Sequence, residues 1–575
     1  MQMEHIDFAF LVGGEAGAGV MLTGRIISKI AMRSGYDVFA TNEYPSLIRG
    51  GHNWFLGRVG TEKVYSQKKE VEILVALDEL TLKKHEHRLS SNGIIISEVK
   101  KAENALTVPM TEIARNLGAP PVARNMVAVG AVTGLLGIDI KVVEEVIADT
   151  FQPRGKQTVE INKKLAKEGY SYGEAAKGSL GFILKKRQSG KKLFLTGNDA
   201  TALGALAAGM RIYFAYPMTP ASPILHYLAA VEDEVGIVVI QPESEIAAIN
   251  MATGAAYAGA RCMVATSGGG FALMTEALGQ LAMTETPLVI VEVQRPGPST
   301  GLPTHTGQGD LRFVMHASQG EFPRFVIAPG DHEESFYLTA EAFNLAERYQ
   351  TPVIILSDKY LAESYKTVDP SDQQKITIDR GKIVENKWKS NEPYKRFLIT
   401  SDGVSPRAFP GTENAIVRVT TGEHTEEGYG TDNPQQVIKM FNKRMRKLEE
   451  MRKEVEARED AVKTFIAGNP TATIITWGSV KGPALEAQKT LQMKGYGTAL
   501  LQIVFLEPFP KNKVSEILRK LPRPYILAEN NATGQLGSLL REHLCLDVDE
   551  KLLKYNGRPF YPEEIAEKVG EAVRR

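Results

Sequence analysis

Three prolines set around one hydroxyl, Ala215-Tyr216-Pro217-Met218-Thr219-Pro220-Ala221-Ser222-Pro223, form the most specific chemical signal in the chain. Each pyrrolidine ring fixes its own φ and removes an amide donor, so the Thr219 hydroxyl is offered from a stiff backbone. That suits a positioned catalytic hydroxyl, and the same composition also makes an ordinary tight turn. About twenty residues on, Gln241-Pro242-Glu243-Ser244-Glu245-Ile246-Ala247-Ala248 places two acids before a helical pattern. Acids there complement the positive end of a helix dipole whether or not they do chemistry. A third stretch, Gly13-Gly14-Glu15-Ala16-Gly17-Ala18-Gly19, follows an apolar run. It could present amides to a phosphate, but its spacing departs from G-x-G-x-x-G and no acid stands at a ribose-reading position. The competing reading is a strand-to-helix turn whose glycines permit close packing or the approach of a partner.

Cysteine usage is restrictive. Cys262 and Cys545 are the only two, so the chain can build neither a disulfide framework nor a four-cysteine metal or cluster site. Lys plus Arg and Asp plus Glu both total 68, and a net charge of zero supplies no global field for nucleic acid or anionic lipid. The opening Met1-Gln2-Met3-Glu4-His5 lacks the basic-then-apolar layout of a signal peptide, which points to the cytoplasm. Ile246 to Ala265 is the longest weakly polar stretch. Asn250 and Arg261 interrupt it, and a packed helix explains it better than a membrane span.

The elements that must position these residues follow from pattern. A chain of 575 residues, 43% hydrophobic and 24% charged, has the composition of a folded protein with several cores. Phe8 to Val12 reads as a strand, Val20 to Ser34 as a helix, Val71 to Leu77 and Gly93 to Val99 as strands, and Asn125 to Leu136 as a helix. The basic stretch Lys185 to Lys192 reads as a linker. Beyond it, β-branched runs at Ile237 to Ile240, Cys262 to Thr266, Pro287 to Val293 and Pro352 to Ser357 alternate with helical stretches, which argues for a parallel sheet covered by helices. Thr367 to Asn433 is irregular. Val437, Met440, Phe441, Met445, Leu448, Met451 and Val455 then recur at spacings of three and four, the signature of one long amphipathic helix. Alternation resumes with Thr473 to Trp477, Ala499 to Phe505 and Pro524 to Ala528.

Tyr216-Pro217-Met218-Thr219-Pro220 resembles the signature of the 2-oxoacid:ferredoxin oxidoreductase family, in its cofactor pyrimidine-type domain. Gln241 to Ala248, Thr266-Ser267-Gly268-Gly269-Gly270-Phe271 and Gly297 to Leu302 resemble neighbouring family motifs, and Tyr44-Pro45-Ser46-Leu47-Ile48-Arg49-Gly50-Gly51 resembles the gamma module. The resemblance implies an α/β multidomain chain. Its expected segments are a gamma module at 1–185, a pyrimidine-type thiamine-diphosphate-binding domain with an irregular extension at 192–433, a long amphipathic helix or linker at 434–466 and a transketolase C-terminal-like domain at 467–575.

It also implies roles. Glu245, with Glu243 as rival, matches the acid that promotes the activating tautomer of thiamine. Thr219 matches a threonine that hydrogen-bonds the substrate, and Tyr216, Pro217, Ser267 and Gly268 fall on cofactor-lining positions. Arg49 and His305 are the expected contacts for a substrate carboxylate, His305 standing where relatives typically carry Arg or Lys.

No Gly-Asp-Gly occurs to anchor magnesium diphosphate, and no metal ligand set is expected on this chain. The resemblance therefore implies a beta subunit supplying Mg²⁺, most of the diphosphate site and a four-iron, four-sulfur cluster, in an alpha2beta2 heterotetramer that passes electrons to ferredoxin. Coenzyme A would take the acyl group. Rival readings are a nucleotide-dependent dehydrogenase built on the glycine loop and an assembly subunit without chemistry. The purified chain is expected to be colourless, iron-free and inactive alone by iron assay and spectrum; a brown, active single chain would contradict the two-subunit reading.

Overall fold

The computed structural model describes residues 5–47, 50–99 and 104–574. They form two compact units, one of residues 1–195 with 363–370 and 561–564, the other of the remainder. Among the described residues no helix is long and apolar enough to cross a membrane, and no group of three or more His, Cys, Asp or Glu side chains is placed to hold a metal ion.

In the first unit an eight-stranded mixed sheet runs Ala105–Thr107, Leu89–Ser97, Val71–Ala76, Asp7–Glu15, His52–Gly60, Asp37–Glu43, Tyr365–Val368, Leu193–Thr196. Asp7–Glu15 pairs parallel with Val71–Ala76 and antiparallel with His52–Gly60. Helix Asn125–Leu135 is buried at every residue, so it has no polar face to turn outward. It packs closely on helix Lys156–Ala175 through glycines: a methyl group at Gly130 would lie 1.9 Å from the carbonyl oxygen of Ala166, and one at Gly169 equally close to that of Val127. Side chains are excluded there because backbone meets backbone. The stretch read as a linker is tied down. Tyr36 Oη donates to the Lys185 carbonyl at 2.9 Å, Arg187 bonds the carbonyls of Ser34 and Thr61 at 2.9 Å, and Lys192 pairs with Asp369 at 2.9 Å.

The second unit holds two sheets. The larger has the order Phe505–Glu507, Phe325–Ile327, Pro352–Asp358, Leu288–Gln294, Cys262–Thr266, Ile212–Phe214, Val238–Ile240, all parallel except the first strand. Its central strands, Leu288–Gln294 and Pro352–Asp358, are buried along their whole length, as a sheet covered on both faces requires. The smaller sheet has the order Val462–Ala467, Gly497–Ile503, Pro470–Thr476, Tyr525–Glu529, Glu550–Leu553, with the first strand antiparallel. The expected long helix is Pro434–Ala457, capped by the Asn433 side chain.

That helix differs from its pattern in one respect. Lys443 and Lys447, which periodicity assigns to a solvated face, are buried, because Glu285 lies buried opposite them. Lys443 Nζ is 2.5 Å from Glu285 Oε1, and Lys447 pairs with the other oxygen. Burial opposes ionisation of Glu285, but the two ammonium groups outweigh it and hold the carboxyl below its usual range. Arg396, from the irregular section, donates to the carbonyls of Thr284 and Glu285. The long irregular segment is thus fastened by buried cations where regular ladders are missing. Glu285→Gln leaves two buried lysines without a counter-charge, a change that costs about 3–5 kcal/mol in comparable sites. The expected outcome is a large fall in the melting temperature of the second unit, read by calorimetry, with Lys520→Ala at an exposed ion pair of the same unit as the near-neutral comparison.

Candidate active site

Chain direction in a parallel sheet brings the carboxyl ends of its strands to one edge, and the candidate residues follow those ends. Strand Ile212–Phe214 leads into the proline-rich turn, where Tyr216 and Pro217 are exposed and Thr219 is half-buried. The turn is fastened on both sides of Thr219. The Met218 carbonyl accepts from Ala221 N at 2.8 Å, and Asn198 Nδ2 donates to the Pro220 carbonyl at 3.0 Å. Arg295, one residue past strand Leu288–Gln294, donates from Nη1 to the Thr219 carbonyl at 2.7 Å.

After strand Val238–Ile240 the chain enters helix Glu245–Tyr257. Ser244 is its N-cap, its hydroxyl accepting from Ala247 N at 3.2 Å. The cap fixes which acid turns inward. Glu243 is exposed, whereas Glu245 is 3% exposed and its Oε1 has no hydrogen-bond partner. An unpaired buried carboxylate oxygen is costly, so it calls for an explanation, and a bound partner is one.

The next junction faces the same acid. Strand Cys262–Thr266 ends at Ser267, the N-cap of helix Gly268–Thr284, whose hydroxyl is buried and unpartnered. The three glycines that open the helix make room for polar neighbours. A methyl group at Gly270 would lie 2.1 Å from Thr266 Oγ1 and 2.7 Å from Glu245 Oε1, and one at Gly268 would lie 2.5 Å from Asp310 Oδ2 and 3.6 Å from Glu292 Oε1. Glu292 pairs in register with Thr266 across adjacent parallel strands, is fully buried, and neither of its carboxylate oxygens has a partner. Burial drives its pKa well above the ordinary range, with help from Asp310 and Asp358, and burial pushes Asp310 up to about 6.

Thr219, Glu245, Ser267 and Gly268 therefore lie on neighbouring strand ends of one sheet. His305 is placed elsewhere in that unit: its backbone N donates to the Leu302 carbonyl at 3.1 Å, its Nδ1 is 3.2 Å from Thr304 Oγ1, and a methyl at Gly557 would lie 3.2 Å from its Cβ. Arg49 lies outside the described residues. In the glycine stretch, strand Asp7–Glu15 continues through Gly13 and Gly14, and the left-handed Gly19 packs on its own chain, with Asn125 Nδ2 donating to its carbonyl. Those glycines serve close packing.

Arg295 and Glu292 were not singled out from the sequence. The available signal was a lone acid and a basic residue in and directly after an otherwise apolar strand. At the end of strand Tyr525–Glu529, Glu529 is fully buried and accepts from Trp477 Nε1, Asn531 Nδ2 and the backbone amides of Leu536 and Gly537.

Residues 9–172 match the pyruvate ferredoxin/flavodoxin oxidoreductase family model, 203–443 the thiamine diphosphate-binding model of pyruvate flavodoxin/ferredoxin oxidoreductases, and 465–570 the transketolase C-terminal domain. The parallel sheet with an inward acid at its edge is thus the thiamine diphosphate-binding part of an α/β oxidoreductase subunit. A 2-oxoacid:ferredoxin oxidoreductase subunit alpha of a Sulfolobus species is 35% identical across 98% of this chain and 97% of that protein. The 2-oxoglutarate oxidoreductase subunit KorA of Mycobacterium tuberculosis is 30% identical across all of this chain and 92% of its own length. A solved 2-oxoglutarate:ferredoxin oxidoreductase from Magnetococcus marinus, with 2-oxoglutarate, coenzyme A and succinyl-CoA bound, superposes with a TM-score of 0.90 at 32% identity over 99% of both chains. The chain belongs to the 2-oxoacid:ferredoxin oxidoreductase alpha subunits.

Gly270→Ala tests the packing of the acid directly. The added methyl displaces Thr266 or Glu245, and overpacking of this kind costs about 1–3 kcal/mol. A lowered melting temperature is expected, with Glu245 displaced in a crystal structure of the variant. Gly254→Ala, on the same helix as Glu245 with open space at the site, is expected to hold or slightly raise stability.

Proposed function

We propose that this chain is the large, gamma-fused subunit of a 2-oxoglutarate:ferredoxin oxidoreductase, catalysing the reversible, coenzyme A-dependent oxidative decarboxylation of a 2-oxoacid with electrons to ferredoxin. The observation that carries the reading is the Glu245 carboxyl, buried and unpartnered beside the glycine-rich start of helix Gly268–Thr284. Relatives named for 2-oxoglutarate favour that substrate over pyruvate, indolepyruvate or a broad range.

The residues fit thiamine diphosphate: Glu245 offers an orphaned acid, Ser267 an orphaned hydroxyl, and the exposed Tyr216 and Pro217 stand on the turn beside them. When bound, thiamine diphosphate supplies the nucleophilic carbon and the electron sink that decarboxylation needs. Glu245 holds or releases a proton at Oε1. Thr219, kept in place by its neighbours' bonds and by Arg295, offers its hydroxyl to the substrate's carbonyl or carboxylate. The guanidinium of Arg295 retains N–H groups suited to a carboxylate, which supports it as a further carboxylate contact beside the expected Arg49 and His305. A beta subunit bearing Mg²⁺ and a four-iron, four-sulfur cluster, an alpha2beta2 assembly, a cytoplasmic setting and a ferredoxin acceptor complete the proposal.

The test is to copurify the tagged chain with its partner and follow viologen or ferredoxin reduction with a panel of 2-oxoacids. Glu245→Gln is expected to retain assembly and lose turnover by about 100-fold or more, the usual scale for a proton-transferring group. Normal turnover in that variant together with a large loss in Glu243→Gln would move the role to the exposed neighbour.

A further inference from the structure

Glu292 presents an electrostatic problem that the reading above leaves unused. Its side chain is fully buried and both carboxylate oxygens lack any hydrogen-bond donor among the described residues. An ionised carboxylate in such a place needs a cation or several donors, and it has neither in contact. The charged groups acting on it are Asp310 and Asp358, which oppose ionisation, and Arg295, which favours it while donating to the Thr219 carbonyl. Asp358 is itself satisfied, accepting from Leu361 N at 3.1 Å and from Thr306 Oγ1 at 3.4 Å. Asp310 reaches the same point as Glu292, the space a Gly268 side chain would fill. Independently, the adjoining Ser267 hydroxyl is buried without a partner, so a second unsatisfied polar side chain stands at this helix start.

We propose that Glu292 is a neutral carboxylic acid at physiological pH, the resident of one proton held between Glu292 and Asp310 beneath Gly268, and that it acts as a positioning acid for the helix start that faces Glu245. This rests on the 2-oxoacid oxidoreductase reading of the site. The single proton lets a third buried carboxyl stand on the strand next to Thr266 without a second negative charge under the pocket floor. The upward pKa shifts of both groups run in the direction this requires.

Linkage gives the sign of its pH dependence. An acid whose folded pKa lies above its unfolded value of about 4.3 contributes stability that is complete below that value and is lost as pH rises toward the folded pKa. Glu292→Gln keeps the shape and the neutral state, so its melting temperature relative to the parent should climb from pH 5 to pH 8. Infrared spectra of the full chain should show the carbonyl stretch of protonated carboxylic acid at pH 7, with a component that is lost in Glu292→Gln. In Asp310→Asn the same band should vanish at lower pH than in the parent, because the neighbouring negative charge is gone; this variant also serves if Glu292→Gln does not fold.

A parent without that band at pH 7, a band unchanged in Glu292→Gln, or an Asp310→Asn band that titrates as in the parent overturns the proposal. So does a melting-temperature difference that stays flat with pH. Neither readout needs cofactor or partner, so their failure is separable from failure of the functional reading, which normal turnover in Glu245→Gln would mark. In the assembled enzyme the alkaline limb of the turnover profile should move upward in Glu292→Gln, and a limb that stays put also counts against the proposal.

Discussion

Polar atoms shut away from water must find partners, and much of this molecule is arranged around that rule. The second unit obeys it with buried ion clusters. Glu285 meets Lys443 and Lys447, and Glu347 faces Arg261, Arg380 and Arg407. Lys481 joins Asp331 and Glu334 at 2.5 Å. Each cluster links segments distant in sequence, and Arg380 and Arg407 tie the stretch that has almost no regular ladder to Glu347. Against that background Glu245, Ser267 and Glu292 stand out, because within one sheet edge the rule is broken three times. It is their gathering at adjoining strand ends that makes them informative about binding.

The exceptions share a structural cause. A parallel strand ends where its next helix begins, and the residues at that turn have outward amides above and packed strands below. Ser244 and Ser267 occupy equivalent N-cap positions, yet one hydroxyl caps its helix and the other makes no cap bond. The capped helix can be rigid without a ligand. The other opens with three glycines, of which Gly268 leaves room for Asp310 and Glu292 and Gly270 for Thr266 and Glu245, so its surroundings are shaped by absent atoms as much as by present ones.

Legibility in the sequence tracked the strength of the local pattern. Cys262–Thr266 emerges with the bounds its apolar run suggested, and Leu288–Gln294 and Pro352–Asp358 within a residue, because central parallel strands are buried on both faces and read as continuous apolar runs. Ile212–Phe214, Phe325–Ile327 and Glu550–Leu553 escaped, being three or four residues long and without a period of their own. The proline turn, Glu245 and Ser267 were legible through motif resemblance. The resemblance already preferred Glu245 to its rival Glu243; the cap geometry adds that two residues of displacement on a helix start separate an exposed acid from a buried one.

Glu292 shows why the remainder was hidden. Sequence patterns grade a position by the company it keeps, and Leu288 to Val293 is apolar enough that one acid reads as noise in a strand. Its meaning depends on register: opposite Thr266, one helix start away from Glu245, and next to an aspartate eighteen residues downstream. The same dependence on register applies to Arg295, whose value lies in reaching the Thr219 carbonyl from a different strand end. Chemistry assembled across parallel strands is carried by pairs far apart in the chain, and such pairs become visible only when the strands are laid side by side.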